Sequence, residues 1–350
     1  MINVQYQSTS AVIGEGAPAF LIAEVSANHD QDLDQALELV KLAAEAGFSA
    51  IKLQTYSPES LTIRSVHPTF RVDPVWGARD LYELYSKTAM PMEFHRPIFD
   101  RSVELGLLPF TTLYDPRDLD FTEALGNCVY KIASFELVHI PLLKAVAQTK
   151  KPVILSTGMA TLAEVEEALD VLASGGAGPI VLLHCCSSYP SEPDQVNLAA
   201  IDTMKRAFGL PVGFSDHTVG PHIPLAAVML GACAIEKHIT NDPNRSGPDH
   251  RFSAAPDVMR DMVRMIRDAE AARGDGRKIM RSSERVNRDV GRRSLYARAD
   301  IAVGEAFTDR NVAVVRPGGG LHPRHYESIL GKRARRAVVV GGPLSWDDIA

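Results

Sequence analysis

Eight short, mostly apolar runs recur along the chain, at residues 20–24, 50–53, 107–111, 129–132, 153–156, 180–184, 212–215 and 234–237. Their apolar residues are continuous rather than alternating, the mark of strands buried on both faces, as in parallel sheets. Most are separated by segments of helical period. Residues 33–46 put Leu33, Ala36, Leu37 and Val40 on one face, and 162–172 and 224–230 behave alike. Eight runs alternating with helices match the count that closes a (β/α)8 barrel, which typically takes about 250 residues. The span from residue 18 to 270 fits. A doubly wound open sheet is the alternative, but it usually has fewer strands. No Gly-x-Gly-x-x-Gly follows the first run. The expected fold class is therefore α/β, a TIM barrel over residues 1–272. Residues 55–88 are too long for one connection and read as an extended loop with short elements.

Beyond the barrel the chain changes character. Arg273, Arg277, Lys278, Arg281, Arg285, Arg288, Arg292 and Arg293 crowd a stretch read as a solvated linker over 273–293. Residues 294–350 read as a small β-rich domain with a quasi-repeat. Val303-Gly304, Phe307-Thr308 and Asn311-Val312 recur at one offset as Val340-Gly341, Leu344-Ser345 and Asp348-Ile349. The net charge of −6 over 350 residues argues against a general nucleic-acid binder. No run of apolar residues is long enough to span a membrane, and residues 1–10 lack the order of a signal peptide. Cys128, Cys185, Cys186 and Cys233 show no zinc spacing and read as free thiols. A cytoplasmic protein is the expectation.

In a barrel of this kind the active site lies at the C-terminal strand ends. Polar and ionisable groups gather there in every run: Glu24; Lys52 and Gln54; Thr111 and Thr112; Lys131, Ser134 and Glu136; Ser156; His184, Ser187 and Tyr189; Ser215, Asp216 and His217; Glu236, Lys237 and His238. His217 and His238 follow neighbouring strands, about 4.8 Å apart, so their imidazoles can converge on one ion such as Mn, Fe, Co or Zn. The pair supports a catalytic metal more than it supports two loop hydrogen bonds. Lys52 and Lys131, with Thr112, Ser134, Ser156 and Ser215, suit a small phosphate- or carboxylate-bearing anion. A Schiff-base lysine is the competing use of Lys131. Lys237 shares no face with Glu236 and His238 and is expected to point away from the pore. Asp30, Asp32 and Asp34 read as helix capping.

These residues stand in a set of motifs: Ala23-Glu24-Val25-Ser26-Ala27-Asn28-His29, Lys52-Leu53-Gln54-Thr55, Lys131-Ile132-Ala133-Ser134-Phe135-Glu136, Ser215-Asp216-His217-Thr218, Glu236-Lys237-His238 and Gly247-Pro248-Asp249. With them the chain resembles the sialic acid synthase family from residue 16 to 349, and most closely its pseudaminate branch. The last segment resembles the antifreeze-like (SAF) domain of these synthases. Leu113-Tyr114 departs from the Pro-Phe common in the family.

The resemblance implies an enzyme that condenses phosphoenolpyruvate with 2,4-diacetamido-2,4,6-trideoxy-L-altrose and water, releasing phosphate and pseudaminate. The neuraminate and legionaminate reactions are the alternatives. It implies phosphoenolpyruvate on Lys52, Thr112, Lys131, Ser134, Ser156, Ser187 and Ser215, and a divalent ion, Mn2+ before Mg2+ or Co2+, on His217 and His238. Glu24 would act on the water, and Glu136, Tyr189 and Asp249 would hold the sugar. It further implies a domain-swapped homodimer in which Arg316, in Arg316-Pro317-Gly318, reaches the sugar of the other chain. Without the resemblance Arg316 reads as a surface residue. A Schiff-base aldolase, or a sugar-binding protein with a degenerate barrel, would be the remaining readings; the intact set Glu24, Lys52, Lys131, His217 and His238 speaks against the latter.

Overall fold

The computed structural model describes residues 1–73 and 77–350. It contains two compact units, Met1–Gly274 and Asp275–Ala350. The first opens with an antiparallel hairpin of β1 (Ile2–Tyr6) and β2 (Thr9–Ile13). Eight parallel strands follow: β3 (Phe20–Glu24), β4 (Ala50–Thr55), β5 (Leu108–Leu113), β6 (Tyr130–Ile132), β7 (Val153–Ser156), β8 (Ile180–Cys185), β9 (Val212–Asp216) and β10 (Ala234–His238). They pair in sequence order and close, with β10 returning to β3 and His238 beside Glu24. The TIM barrel expected from the eight runs is the fold observed.

The connections are helical. They are α1 (Leu33–Ala46), then α2 (Pro58–Leu61), α3 (Leu81–Thr88) and α4 (His95–Glu104) between β4 and β5, then α5 (Leu119–Leu125), α6 (Ile140–Gln148), α7 (Leu162–Ser174), α8 (Ala200–Phe208), α9 (His222–Met229) and α10 (Pro256–Arg273). The long 55–88 stretch thus carries α2 and α3, as a loop with short elements; residues 74–76 within it lie outside the described residues. Asp32 caps α1 by accepting from the amides of Asp34 and Gln35. Asp30 does something else: its carboxylate pairs with Arg245 and the buried His250.

Side-chain alternation sorts each strand into two faces. Leu21, Ala23, Ile51, Leu53, Leu155, Leu182 and Phe214 pack outward with the helices in the larger core. Phe20, Ile22, Ala50, Leu108, Phe110, Ile154, Val181 and Leu183 form a second core inside the barrel, joined by Ile2, Val4 and Ile13 of the hairpin. The hairpin plugs the barrel, and sequence reading missed it. Its signal was present, since Ile2, Val4 and Tyr6 alternate with polar residues and are the buried ones. The inward series begin apolar and end polar: Phe20, Ile22, Glu24; Ala50, Lys52, Gln54; Leu108, Phe110, Thr112; Ala234, Glu236, His238. The apolar half holds the barrel together and the polar half forms a site.

In the second unit α11 (Arg285–Gly291) precedes β11 (Ser294–Ala297), which pairs antiparallel with β12 (Val312–Val315); α12 (Tyr326–Ile329) follows. The quasi-repeat is visible in the backbone. Gly304 and Gly341 adopt left-handed turns at φ 82° and 80°, where a Cβ would be strained. Phe307 and Leu344 are both fully buried in one core. Ile301 and Val338, separated by the same offset, exchange backbone hydrogen bonds of 2.8 and 2.9 Å. No helix among the described residues is long and apolar enough to cross a membrane.

Candidate active site

A cavity of about 530 Å³ opens over the polar half of the barrel, lined by residues on or just after β3 to β10 and by α2 and α3. Its floor is charged. Lys52 on β4 stands 2.6 Å from Glu24 Oε2 and 3.5 Å from Glu236 Oε1, and donates to Thr112 Oγ1 at 2.8 Å. Burial alone would depress its ammonium; the Glu236 and Glu24 carboxylates outweigh burial and raise its pKa. Burial pushes Glu24 up to about 6, with Lys52 opposing, while the reverse balance, with Lys131 and Lys52 prevailing over burial, lowers Glu236. Gln54 Nε2 donates to Glu24 Oε1 at 2.8 Å and orients the carboxylate. Lys131 Nζ donates to the Ile132 carbonyl at 2.9 Å, and burial lowers its pKa.

Several polar atoms at this cavity have no hydrogen-bond partner among the described residues. Ser156 Oγ, Glu136 Oε2, Glu236 Oε2 and His238 Nδ1 are buried without a hydrogen bond, and all four residues line the cavity. Buried polar groups are normally paired, so four orphans around one cavity mark a place for a polar ligand. Ser134 Oγ accepts from the Gly158 amide at 2.9 Å. A side chain at Gly158 would collide with the Ser134 and Ser187 hydroxyls, so the backbone approaches both closely.

The two histidines meet on one wall, with ring centroids 5.3 Å apart. His217 Nδ1 is 2.9 Å from the Cys186 carbonyl, which takes its proton and leaves Nε2 as a lone pair. His238 is held neutral: burial first, then the charges of His217 and Lys52, push its pKa far down. Asp249 Oδ2 lies 3.9 Å from His238 Nδ1. Against burial, Cys185 and the Cys186 carbonyl raise the pKa of His217, so a cation there would replace its proton; with His238 neutral, the pair fits a divalent cation bound in an open shell. Among the described residues no group of three or more His, Cys, Asp or Glu forms a closed one. Behind the wall Lys237 and Asp216, both buried, form an ion pair on the outer face of β9 and β10, and Lys237 also donates to the Thr218 carbonyl. Lys237 therefore points away from the pore, as its position between Glu236 and His238 requires.

The structure brings most of the expected residues together. Lys52, Lys131, Ser134, Glu136, Ser156, Tyr189, Ser215, His217, His238 and Asp249 all line the cavity. Glu24 and Thr112 lie fully buried beneath it, each bound to Lys52. Ser187 stands 3.8 Å from Cys185 Sγ, beside Gly158. Asp249 accepts from the Ser26 hydroxyl, and the Tyr189 ring lies 4.3 Å from His217. His184 leaves the group, its Nε2 bonded to the Val196 carbonyl at 2.7 Å. Arg316 belongs to the second unit, where it is exposed. Sequence reading missed Tyr56, Leu84, Tyr85 and Tyr114 in the cavity lining. Tyr56 and Tyr114 were within reach, because the inward alternation of β4 and β5 lands on them one step past each strand.

Known proteins share this architecture. The NeuB family matches residues 39–278 and the SAF domain matches residues 292–350. The chain is 40% identical to the pseudaminic acid synthase of Campylobacter jejuni, over 94% of this chain and 96% of that protein. It is 38% identical to the N,N'-diacetyllegionaminic acid synthase of the same species, over 90% and 96%. A crystal structure of a Bacillus subtilis spore coat polysaccharide biosynthesis protein superposes with a TM-score of 0.67 at 36% identity, covering 100% of this chain and 99% of that one.

Proposed function

The chain belongs to the NeuB family, and from that premise we propose that it is a nonulosonate synthase, a transferase that joins phosphoenolpyruvate to an acetamido sugar. The observation that carries this reading is the single cavity with lysine ammonium groups, orphaned hydroxyl and carboxyl oxygens and a histidine pair at one barrel mouth. Within the class, the pseudaminate reaction is our first reading, with 2,4-diacetamido-2,4,6-trideoxy-L-altrose as acceptor. The legionaminate precursor is second, because a legionaminate synthase is nearly as similar to the chain.

In this mechanism C3 of phosphoenolpyruvate attacks the open-chain aldehyde, forming the carbon–carbon bond while the aldehyde oxygen gains a proton. Water adds at C2, losing a proton, and the C–O bond then breaks to release phosphate. Lys131, Ser134, Ser156 and Ser215 would hold the phosphate and carboxylate ends, with Ser187 closing over them. Lys52, bound to Glu24, Glu236 and Thr112, would present one face of its ammonium to the same anion. Glu24, with its pKa near 6 and its orientation set by Gln54, would take the proton from water. His217 and His238 would hold a divalent cation, Mn2+ in our reading, which when bound polarises the aldehyde. Glu136, Tyr189 and Asp249 would bind the sugar. A homodimer in which Arg316 of one chain serves the other belongs to the same proposal.

The test is phosphate release by metal-stripped protein given phosphoenolpyruvate with each candidate sugar, with and without Mn2+. Mn2+-dependent release with the altrose derivative alone supports the pseudaminate reading. Release only with the mannose-configured diacetamido sugar, or only with N-acetylmannosamine, moves the product to legionaminate or neuraminate. No release with any of the three sinks the proposal.

A further inference from the structure

Two adjacent residues in the loop after β3 hold different walls of the cavity without lining it. Asp30 and Gln31 both take the left-handed conformation, at φ 49° and 53°. Residues with a side chain seldom adopt it, and where they do the surrounding contacts keep them there. Here each side chain reaches a different element.

Asp30 reaches the connection between β10 and α10. Its Oδ1 lies 3.0 Å from His250 Nε2, and its Oδ2 lies 2.9 and 2.7 Å from Arg245 Nε and Nη2. His250 is fully buried, and its other ring nitrogen lies 2.7 Å from Thr240 Oγ1. The imidazole thus ties Asp30 to both ends of that connection. Asp249, directly before His250, lines the cavity and accepts from the Ala27 amide at 3.4 Å. Phe252, just after it, sets its ring 5.1 Å from that of His238 and 5.4 Å from that of Tyr189.

Gln31 reaches the other way. Its Nε2 donates to the Ser86 and Ala89 carbonyls, at 3.0 Å each. These stand at the C-terminal end of α3, where carbonyls lack a partner within the helix. Leu84, Tyr85 and Thr88 of α3 line the cavity. The groups proposed for phosphoenolpyruvate, among them Lys52, Lys131, Ser156 and Ser215, belong to β4, β6, β7 and β9, outside both of the elements held in this way.

We propose that Asp30 and Gln31 are positioning residues that seat the β10–α10 connection and α3 as two walls against which the acceptor sugar binds. This rests on the synthase reading above and adds to it two residues that touch neither substrate.

The test uses Asp30→Gly and Gln31→Gly. Each removes one of the two holds, and glycine takes the left-handed conformation freely. Asn28 donates to the Ile239 carbonyl and to Ser253 Oγ at 2.8 Å each, so the base of the β10–α10 connection stays tied in both variants. Steady-state phosphate release gives the KM for each substrate, and hydrogen exchange of the substrate-free protein reports the two walls. Asp30→Gly is expected to raise the sugar KM roughly tenfold, the worth of a hydrogen bond to a charged group. It should speed exchange over residues 240–254 and leave 81–89 unchanged. Gln31→Gly removes bonds made in the open, so its sugar KM should rise roughly threefold, with faster exchange over 81–89 alone. Asp30→Asn, which keeps the shape without the charge, should recover part of the loss. The KM for phosphoenolpyruvate should stay at the wild-type value throughout. Equal rises in both KM values, or an unchanged sugar KM in the two glycine variants, overturn the positioning role. Inactivity of the wild type with every acetamido aldose sinks the synthase reading and this inference with it. An active wild type with either of the overturning results sinks this inference alone.

Discussion

Replacing Glu136 by Gln isolates the cost of a buried carboxylate. Glu136 is 8% exposed, its Oε2 lacks a partner, and burial holds its pKa up at about 7, from an ordinary 4.5, with Lys131 only partly opposing. The folded protein therefore binds this proton more tightly than the unfolded chain does. The resulting stabilisation is complete below pH 4.5 and is lost as pH rises through about 7. The interval between the two values corresponds to at most about 3 kcal/mol. Solvent in the open cavity lowers this, so about 1–3 kcal/mol is the expected range. Glutamine keeps the neutral shape at every pH. Glu136→Gln should match the wild type near pH 4.5 and exceed it by that amount at pH 8. At about 2–4 °C per kcal/mol, the melting temperature at pH 8 should rise by about 2–12 °C. Calorimetric melts of both proteins without substrate, at pH 5 and pH 8, give the comparison. An advantage for the variant that is equal at both pH values, or absent at pH 8, refutes the argument, because the carboxylate would then ionise in the folded chain at no cost.

Lys52→Met leaves the buried Glu24 and Glu236 carboxylates without the cation at 2.6 and 3.5 Å. A loss of about 3–5 kcal/mol is expected in denaturant unfolding at pH 8; unchanged stability there would contradict the ion-pair account. Gly158→Ala drives a methyl into the Ser134 and Ser187 hydroxyls. It should cost about 1–3 kcal/mol and raise the KM for phosphoenolpyruvate, and a KM equal to the wild type would separate those serines from the anion. His238→Ala should weaken Mn2+ binding roughly ten- to hundredfold in titration calorimetry on the purified chain. An unchanged affinity would remove the imidazole pair as a cation site.

The barrel was legible because its evidence is local. Each strand needs only a short apolar run, and α1 shows its face and its Asp32 cap within one segment. The candidate site was legible for a related reason. Strand alternation places Lys52, Lys131, His217 and His238 on the inner face once the strand ends are known. The β1–β2 hairpin carried an alternating signal too, but nothing nearby in sequence said what it covers; Ile2, Val4 and Ile13 are buried by β3 and β5 inside the barrel.

What the sequence determined by itself was the count of strands, the polar ends of their inward series and the repeat in the last unit. These follow from periodicity, which every residue reads from its neighbours along the chain. Tertiary structure decided which polar groups find partners. Lys237 and Asp216 satisfy each other outside the barrel, and Lys52 is shared between Glu24, Glu236 and Thr112. Tyr56 gives its hydroxyl to Thr88, whereas Glu136, Ser156 and His238 keep buried atoms without a hydrogen bond among the described residues at the cavity. Those outcomes depend on contacts between segments far apart in the chain, where burial sets both the pKa of a group and the cost of leaving it unpaired.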